Sequence, residues 1–503
     1  MDAEAALALT NSIYARIQGR RPVFEKRENY YEGKQPLTFA TGEWKRKNAA
    51  RYSGFSDNWT RPVVDAEGER AQHTGIKIKD SAEAAAKLWE KWLLNEMEMQ
   101  SSQGFVSTMT NSRSFVIVWG NPDDDEPTIS WEHGSNCEIE YDWENPRKRV
   151  AALKTWADDS TEYATLYTAT EVWKWQRKRS ESQLDSGSQA DQSRVRGSNN
   201  ANGGWVPRQS PSDNAWPIPN PIGDVPVVEM PNRPILAGDP VSEIAGVMAM
   251  QDAINLLWAY MFLAADYASM PARVVLNTAP PKIPILNDQG QKIGERPVKI
   301  DDLSEKRLLF LQSENAKIDS WPAAQLDPFT ETIETAVGHI AAQTRTPPTY
   351  LVTKTGMANV NGEGLKASEI GLVNKTLEFQ TYISPALREV YRLVALAMGD
   401  QALARQARLA TISWKNPEIR SESQLADALL KKKQMGYPLE YLMEIDGLDP
   451  VEIERVRAMI EAESFDPQLE RAQRGLSQIG DTSSGGDVLP AATADRGDDG
   501  GGS

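Results

Sequence analysis

The chain has 503 residues and a formal net charge of −16, with 71 acidic residues against 55 lysines and arginines. This length can hold roughly two to four subregions around sizeable cores, and this charge argues against a protein that wraps nucleic acid phosphates with lysines. The single cysteine, Cys137, excludes an intramolecular disulfide and suits a reducing compartment. The first residues lack the features of a cleavable signal peptide, and no apolar run is long enough to predict a membrane span.

The N-terminal half alternates predicted helices with a region of short strands. Helices are expected over residues 3–18 and 81–100, where apolar residues recur at helical spacing. From residue 112 to residue 175 the pattern changes to short strands separated by turns, which predicts a β-rich meander. Residues 180–214 are rich in Ser, Gln, Asn and Gly, and this composition predicts a flexible surface insertion.

Two further helices are predicted on either side of a proline-rich β segment. The first opens with Asp239, Pro240 and Ser242, carries one apolar stripe at helical spacing, and stops at Pro271. Short β-like runs broken by prolines follow it. The second helix begins near Pro328, because a proline is tolerated in the first turn.

A segment rich in glycine and asparagine then separates the second helix from a longer one. The second helix is ended by Pro347 and Pro348, and residues 352–364 read VTKTGMANVNGEG. Such residues visit unusual backbone angles at little cost, so a loop is expected. A helical pattern begins at Leu365, and Pro385 inside it predicts a kink. Two long helices on either side of a glycine-rich loop are more typical of a ring-forming structural protein that encloses a long, rod-like molecule than of an enzyme.

The order of these segments resembles a known family. The segments in question are GDPVSEIAGVMAMQDAINLLWAY, PFTETIETAVGHIAAQTRTPPTYL, the glycine-rich loop and the long helix, preceded by ENYYEGKQPLTFA, NWTRPVVD and VVEMPNRP. Together they are similar to the portal proteins of tailed bacteriophages of the siphovirus type. The resemblance covers about residues 13–461, and it is carried by the ordered set because no single motif is diagnostic.

The resemblance implies an α+β, portal-like fold with long stem and tunnel helices, a β-rich wing and a helical crown. The implied regions are a wing at 1–241, a stem helix at 242–272, a clip at 273–321, a second stem helix at 322–346, a tunnel loop at 347–364, a tunnel helix and wing return at 365–414, a crown at 415–470 and a disordered tail at 471–503.

The function implied by the resemblance is that of a structural ring subunit, without enzymatic activity or a cofactor. About twelve copies would close into a ring at one capsid vertex of the virion after assembly in the host cytoplasm. Double-stranded DNA would pass through the ring with weak, nonspecific contact, and no membrane would be involved. The implied protein partners are the terminase large subunit, head-completion or adaptor proteins, and the major capsid and scaffolding proteins.

The resemblance also implies two sites. The residues assigned to the DNA channel, in the tunnel loop and its flank, are Thr353, Lys354, Thr355, Met357, Asn359, Asn361 and Lys366. The residues assigned to the clip surface that faces terminase and adaptor are Lys282, Lys292, Arg296, Lys299, Lys306 and Arg307. Acidic walls elsewhere in the channel would repel phosphate and keep DNA from sticking.

Other candidate sites have simpler structural explanations. The three histidines, His73, His133 and His339, are far apart in sequence and predict no zinc site; His339 is expected at the surface or at a subunit interface. The acidic run 123–126 fits a solvated turn better than a cation site. The segment NGEGLK at 361–366 lacks the full spacing of a phosphate-binding loop.

The tryptophans leave one alternative open. Core packing is expected for Trp89, Trp92, Trp173 and Trp175, which lie in patterned elements, whereas Trp205 and Trp216, in and just after the polar insertion, are candidates for stacking on a ligand. A glycan-binding or glycan-active protein therefore stays possible, although no pair of carboxylates is identified. The other alternative is a different phage head–tail connector or structural protein, with a shorter helical pair and no clip.

Overall fold

The computed structural model describes two units of the chain, residues 1–422 and 423–503, and each is considered by itself. Most of the predicted 180–214 insertion, the whole 471–503 tail and Asp123 to Asp125 of the acidic run lie outside the described residues. The residues described are 1–35, 55–79, 81–120, 126–179, 204–209, 215–269, 273–276, 282–287, 289–297, 308–311, 325–351, 362–418, 422–448 and 450–464.

The first unit contains helices together with strands that pair mostly in antiparallel fashion, which confirms the expected α+β class. The helices are α1 (Ala3–Glu32), α2 (Thr60–Gly68), α3 (Ala82–Leu94), α4 (Met97–Asn111), α5 (Met248–Ser269), α6 (Asp327–Thr344), α7 (Pro348–Leu351), α8 (Gly362–Ala397) and α9 (Gln401–Ala407). The second unit, from its first helix onward, contains α10 (Glu422–Gln434), α11 (Leu439–Asp446) and α12 (Pro450–Ser464).

The strands belong to several small sheets. They are β1 (His73–Lys77), β2 (Arg113–Gly120), β3 (Pro127–Glu132), β4 (Cys137–Tyr141), β5 (Arg149–Ala157), β6 (Thr161–Thr168), β7 (Glu171–Lys178), β8 (Val206–Pro207), β9 (Ile218–Pro219), β10 (Val227–Pro231), β11 (Arg273–Leu276), β12 (Lys282–Leu286), β13 (Lys292–Pro297), β14 (Leu308–Leu311) and β15 (Thr411–Trp414).

The strands predicted between residues 112 and 175 are present, but they form two sheets and not one meander. In the first sheet β2 lies between β3 and β10, a strand that arrives more than a hundred residues later in the chain. The second sheet runs β4-β5-β6-β7-β8 in antiparallel order, with β9 also paired to β7. Sequence periodicity identifies a strand but not its partner, and this is why the division was missed.

Helix α1 is longer than predicted and covers one face of the second sheet. Its N-terminus is capped by the Asp2 side chain, which accepts a hydrogen bond of 2.8 Å from the Ala5 amide. It ends at Gly33, whose φ of 74° lies in the left-handed region that glycine adopts without strain. The predicted end at residue 18 was wrong because buried residues such as Phe24 and Tyr30 continue the packed face.

The helix predicted over 81–100 is two helices. Glu96 interrupts it with a φ of 53°, and the side chain of Asn95 satisfies the backbone at the break. The Asn95 amide donates to the carbonyls of Lys91 and Pro127 at 2.8 and 2.9 Å, and its oxygen accepts from the Ile129 amide. These bonds attach the corner between α3 and α4 to strand β3.

Helix α5 begins at Met248 and not at the expected Ser242. The residues before it are committed to tertiary contacts: Ser242 donates through its hydroxyl to the Thr110 carbonyl at 2.6 Å, and the Glu243 amide donates to the Met109 carbonyl at 2.9 Å. The backbone follows these contacts and enters the helix later. Helix α6 lies where it was predicted. Helix α8 is 36 residues long, continues through Pro385, and begins at Gly362 and not at the expected Leu365. The expected tunnel loop at 347–364 is therefore too long: residues 348–351 and 362–364 are helical, and residues 352–361 lie outside the described residues.

The main core surrounds the C-terminal half of α8. Phe379, Ile383, Leu387 and Val394 recur at helical spacing on this helix, and all are fully buried or nearly so. They pack in one cluster with side chains from α2, α3, α4, α6 and β2. Within the described residues, no helix is long and apolar enough to cross a membrane.

Replacement of Gly104 by alanine tests how tightly α4 lies against β3. A Cβ at this position would come within 2.0 Å of the Trp131 indole, whose Nε1 donates to Ser114 and which therefore cannot turn away freely. We expect Gly104→Ala to lower the free energy of unfolding by about 1–3 kcal/mol, measured by chemical denaturation. Gly19→Ala is the control, because nothing lies within 4 Å of its added Cβ and alanine favours the helix. Equal stability of Gly104→Ala and the wild type would contradict the close packing.

Candidate functional site

The structure places the predicted site residues only in part. Those assigned to the loop itself, Thr353, Lys354, Thr355, Met357, Asn359 and Asn361, lie outside the described residues, and so do the clip residues Lys299, Lys306 and Arg307. Lys366 lies in the second turn of α8. The remaining clip residues, Lys282, Lys292 and Arg296, lie on the β12–β13 hairpin.

What the structure does describe is how the two ends of the segment 352–361 are held, and Arg70 is central to it. Its Nη2 donates to the Tyr350 hydroxyl at 2.9 Å and lies 3.2 Å from Oε1 of Glu369. Tyr350 precedes the segment and Glu369 follows it, so one buried guanidinium joins both ends. Nη1 of Arg70 donates to the Pro417 carbonyl at 3.1 Å, so the same guanidinium is also attached to the chain that follows β15.

A second arginine contact lies farther along α8. Arg345 ends α6 with a φ of 56°, and its Nη2 donates to Oε2 of Glu378 at 2.6 Å. Gly371 lies beside this corner, where an added Cβ would make an ordinary contact of 3.4 Å with the Arg345 carbonyl. The chain before the segment is therefore fixed to the first half of α8, the helix that follows the segment.

The deepest contact of α8 is a buried group of three charged residues. Nζ of Lys375 lies 2.9 Å from Oε2 of Glu67 on α2 and 2.8 Å from Oε2 of Glu243, and all three side chains are only 1% exposed. Asn232 donates to the other oxygen of Glu243 at 3.0 Å, and Arg233 lies 3.5 Å from this carboxylate. We call Lys375, Glu67 and Glu243 the buried triad.

The ionisation of the triad follows from burial and from the single shared cation. Burial raises the pKa of Glu67 to about 7. The charge of Glu243 also raises this pKa, whereas Lys375 lowers it. Burial also disfavours the charged form of Glu243, yet Lys375, Asn232 and Arg233 hold the pKa of this carboxyl below its usual value. Burial opposes the charge on Lys375, but its two carboxylate partners raise its pKa.

The histidines have structural surroundings. His73 is buried among Trp89, Trp92 and Tyr391, with Nε2 2.7 Å from the Tyr391 hydroxyl, and burial lowers its pKa to about 4. His339 is exposed, in agreement with its expected surface position. Among the residues that the structure describes, no group of three or more His, Cys, Asp and Glu side chains could hold a metal ion.

Trp205 and Trp216, the candidates for ligand stacking, pack against the core of the second sheet, Trp205 buried and Trp216 partly buried, so that prediction was wrong. Trp205 is 6% exposed, and the Arg177 guanidinium lies 4.4 Å from the centre of its ring. Trp216 makes edge contacts with Trp173 and Trp175, and its indole N–H donates to the Lys174 carbonyl at 3.0 Å. The end of the insertion is therefore part of the second sheet's packing.

The β12–β13 hairpin presents charge and apolar surface together. Lys292 pairs with Glu295, and Nζ of Lys282 lies 3.7 Å from the same carboxyl group. The hairpin also exposes apolar side chains that a packed protein would cover, namely Ile283, Ile285, Leu286 and Ile293. A two-stranded hairpin is marginally stable alone in water, so this surface is suited to contact with another protein.

Sequence reasoning missed Arg70, Lys375, Glu67 and Glu243. A signal was present for Lys375, which interrupts the apolar positions of α8 between Leu372 and Phe379. A lysine on a buried stripe needs carboxylate partners, because an unpaired buried charge is too costly. The identity of the partners could not be predicted, since Glu67 and Glu243 are distant in the chain.

Comparison with known proteins identifies a family for nearly the whole chain. Residues 11–464 match the family described as phage portal protein, SPP1 Gp6-like. The portal protein of Mycobacterium phage D29 is 25% identical over 408 residues, 76% of each chain, and that of Mycobacterium phage L5 is 26% identical over 390 residues, 74% of this chain and 71% of the other. A solved neck of the native gene transfer agent particle, computed with C12 symmetry, covers 82% of this chain and 94% of its own at 12% identity and a TM-score of 0.37.

The buried triad predicts a specific pH dependence of stability. Glu67 has a pKa of about 7 when folded and about 4.3 when unfolded, so its contribution to the free energy of unfolding is full below pH 4.3. That contribution is lost as the pH rises from the unfolded pKa to the folded pKa near 7, a change of roughly 4 kcal/mol. Glu67→Gln stays neutral, and we expect its unfolding free energy to lack this decline.

The measurement is chemical denaturation of wild type and variant from pH 5 to pH 8. Glu69→Gln is the matched control, because Glu69 is an exposed neighbour of the same type. Its pH profile should parallel the wild type. Parallel profiles for wild type and Glu67→Gln would show that the Glu67 carboxyl does not titrate in the folded protein as described.

Proposed function

Because the chain belongs to the SPP1 Gp6-like phage portal protein family, we propose that its copies close into a ring at one capsid vertex, and that double-stranded DNA passes through the ring. About twelve copies would form the ring by heterologous contacts that close on themselves. The observation that carries the proposal is the attachment of both ends of the segment 352–361 by Arg70. A segment that must contact a moving rod has to be held firmly at its base.

In this proposal the segment 352–361 narrows the channel. Helices α6 and α7 lead into it and α8 leads out of it, and the Arg70 and Arg345 contacts keep these helices in place. Thr353, Lys354, Thr355, Met357, Asn359 and Asn361 would contact DNA in passing, with Lys366 at the flank. Short polar side chains and a few lysines bind phosphate without reading the sequence of the bases.

The charge of the chain supports passage without retention. Each copy carries −16, so a ring of copies repels the phosphate backbone over most of its surface. Contacts with single lysines are screened by salt and are individually weak. DNA in such a channel can slide, whereas a strongly basic lining would hold it.

The β12–β13 hairpin is proposed to lie in the clip, which would dock the terminase large subunit during packaging and the head-completion or adaptor proteins afterwards. Its exposed isoleucines offer apolar contact, and Lys282, Lys292 and Arg296 offer charge for orientation. Lys299, Lys306 and Arg307 are proposed to extend this surface. Contacts with the major capsid and scaffolding proteins during assembly in the host cytoplasm complete the proposed set.

The first experiment asks whether rings form and whether the segment acts in them. We expect negative-stain images of the purified protein to show rings with a central hole. Deletion of residues 352–361 should leave these rings intact but reduce DNA packaging in an assembly system, because the helices on both sides are held by other residues. Arg70→Ala should give an intermediate defect, with Arg61→Ala as the control at an exposed arginine on α2. Compact monomers without rings would overturn the proposal.

The second experiment asks whether the ring is a passive conduit. The segment that resembles a phosphate loop begins the helix α8 at Gly362 and lacks the full nucleotide-binding spacing. We therefore expect no ATP hydrolysis and no DNA cleavage by the purified protein, and duplex binding that weakens as salt rises. If the purified protein hydrolyses ATP and Gly362→Ala/Gly364→Ala abolishes this activity, the ring is not a passive conduit and this chain itself supplies energy by hydrolysing ATP.

A further inference from the structure

The described part of the second unit has almost no core of its own. Among the residues of this unit whose burial the structure describes, in 425–448 and 451–462, only Leu442 and Met443 are buried. Helical proteins of this size rarely bury enough apolar surface to be stable alone, and they usually need a disulfide, a metal or association with another chain. The chain's one cysteine lies elsewhere, at Cys137.

The same helices expose apolar side chains on all three elements. Leu430 on α10 is 56% exposed, Met459 on α12 is 54% exposed, and Met435 between α10 and α11 is 76% exposed. The remaining exposed members of this set are Tyr437, Leu439, Tyr441, Val451 and Ile460. An apolar surface of this extent on a short helical unit indicates contact with another molecule.

Charge divides the unit into two unlike parts. The last turn of α10 carries Lys431, Lys432 and Lys433 in succession. Helices α11 and α12 together carry seven carboxylates and two arginines, a net charge of −5. Lys431 pairs with Asp427 on its own helix, whereas Lys432 and Lys433 make no ion pair within the described residues. The chain thus carries both a basic face and a complementary acidic face.

We propose that the lysine cluster of α10 docks on α11 and α12 of a neighbouring copy of this chain, and that the exposed apolar side chains are buried in the same contact. This inference rests on the ring proposed above and adds one of its interfaces. Two unlike faces on one chain suit a head-to-tail contact, in which each copy gives its basic face to one neighbour and its acidic face to the other. The contact therefore orders the helices 422–464 when the ring closes.

The test uses two charge-reversed variants of the full chain. Lys432→Glu/Lys433→Glu makes the basic face acidic. Glu440→Lys/Asp446→Lys/Glu454→Lys changes the net charge of α11 and α12 from −5 to +1 and so makes the acidic face basic. All five residues are at least partly exposed. Either variant alone brings like charges together at every contact. When both are produced in one cell, an alternating ring pairs opposite charges at every contact again, provided that the number of copies is even.

The measurement is amide hydrogen exchange over residues 422–464 in purified rings at low salt. We expect each variant alone to exchange faster than the wild type by a factor on the order of ten, and the mixed ring to return to the wild-type rate. High salt should reduce the difference between them. Lys79→Glu/Lys178→Glu, with two exposed lysines of the first unit, is the control and should leave exchange in 422–464 unchanged.

The outcomes separate this inference from the function on which it rests. Wild-type protein that forms no rings overturns both. Rings in which neither variant changes exchange over 422–464, or in which the mixed ring exchanges as fast as either variant alone, overturn the proposed contact and leave the ring proposal standing. Circular dichroism of each variant shows whether its helices are retained, so that a loss of folding is not mistaken for a loss of contact.

Discussion

A single buried ammonium group, that of Lys375, determines how three parts of the first unit are held together. Its Nζ lies 2.9 Å from the carboxyl group of Glu67 on α2 and 2.8 Å from that of Glu243 just before α5, and its own helix, α8, places it in the core. Removing Lys375 would leave two buried carboxyl groups without their shared cation, at a cost of about 3–5 kcal/mol. The three segments are therefore held in the relation that brings both carboxyl groups to Lys375.

The two halves of α8 are held by different kinds of contact, and the triad lies in the first half. Its first half is attached by charged groups, at Glu369, Lys375 and Glu378, and its second half by a continuous apolar stripe. Charged contacts are directional, so they define the angle at which the helix leaves the segment 352–361. Apolar packing tolerates small shifts better and supplies most of the burial energy.

The elements could be predicted from sequence where the pattern is local. The strands from β2 to β7 and helix α6 follow from their period and their turns, and the α+β class follows from them. Three features could not be predicted in this way. The start of α5 depends on hydrogen bonds from Ser242 and Glu243 to the end of α4, the division of the strands depends on the late arrival of β10, and Trp205 is covered by a cation from β7. Each is a contact between segments far apart in the chain, and the sequence pattern contains only neighbours. Of the proposed site, the sequence identifies the segment 352–361 by its composition, but not Arg70, which holds its two ends.

The pairing of β7 with β8 has a consequence for the length of the chain between them. Gln176 pairs with Val206, and Arg177 lies over Trp205, so the chain leaves the second sheet and returns to it at the same edge. The chain between β7 and β8 is therefore an insertion whose two ends are held next to each other by the sheet. Doubling the length of such a closed segment costs only about 0.6 kcal/mol in chain entropy. Natural insertions of different lengths, or a reporter domain added by design, can therefore occupy this position while the sheet keeps its register.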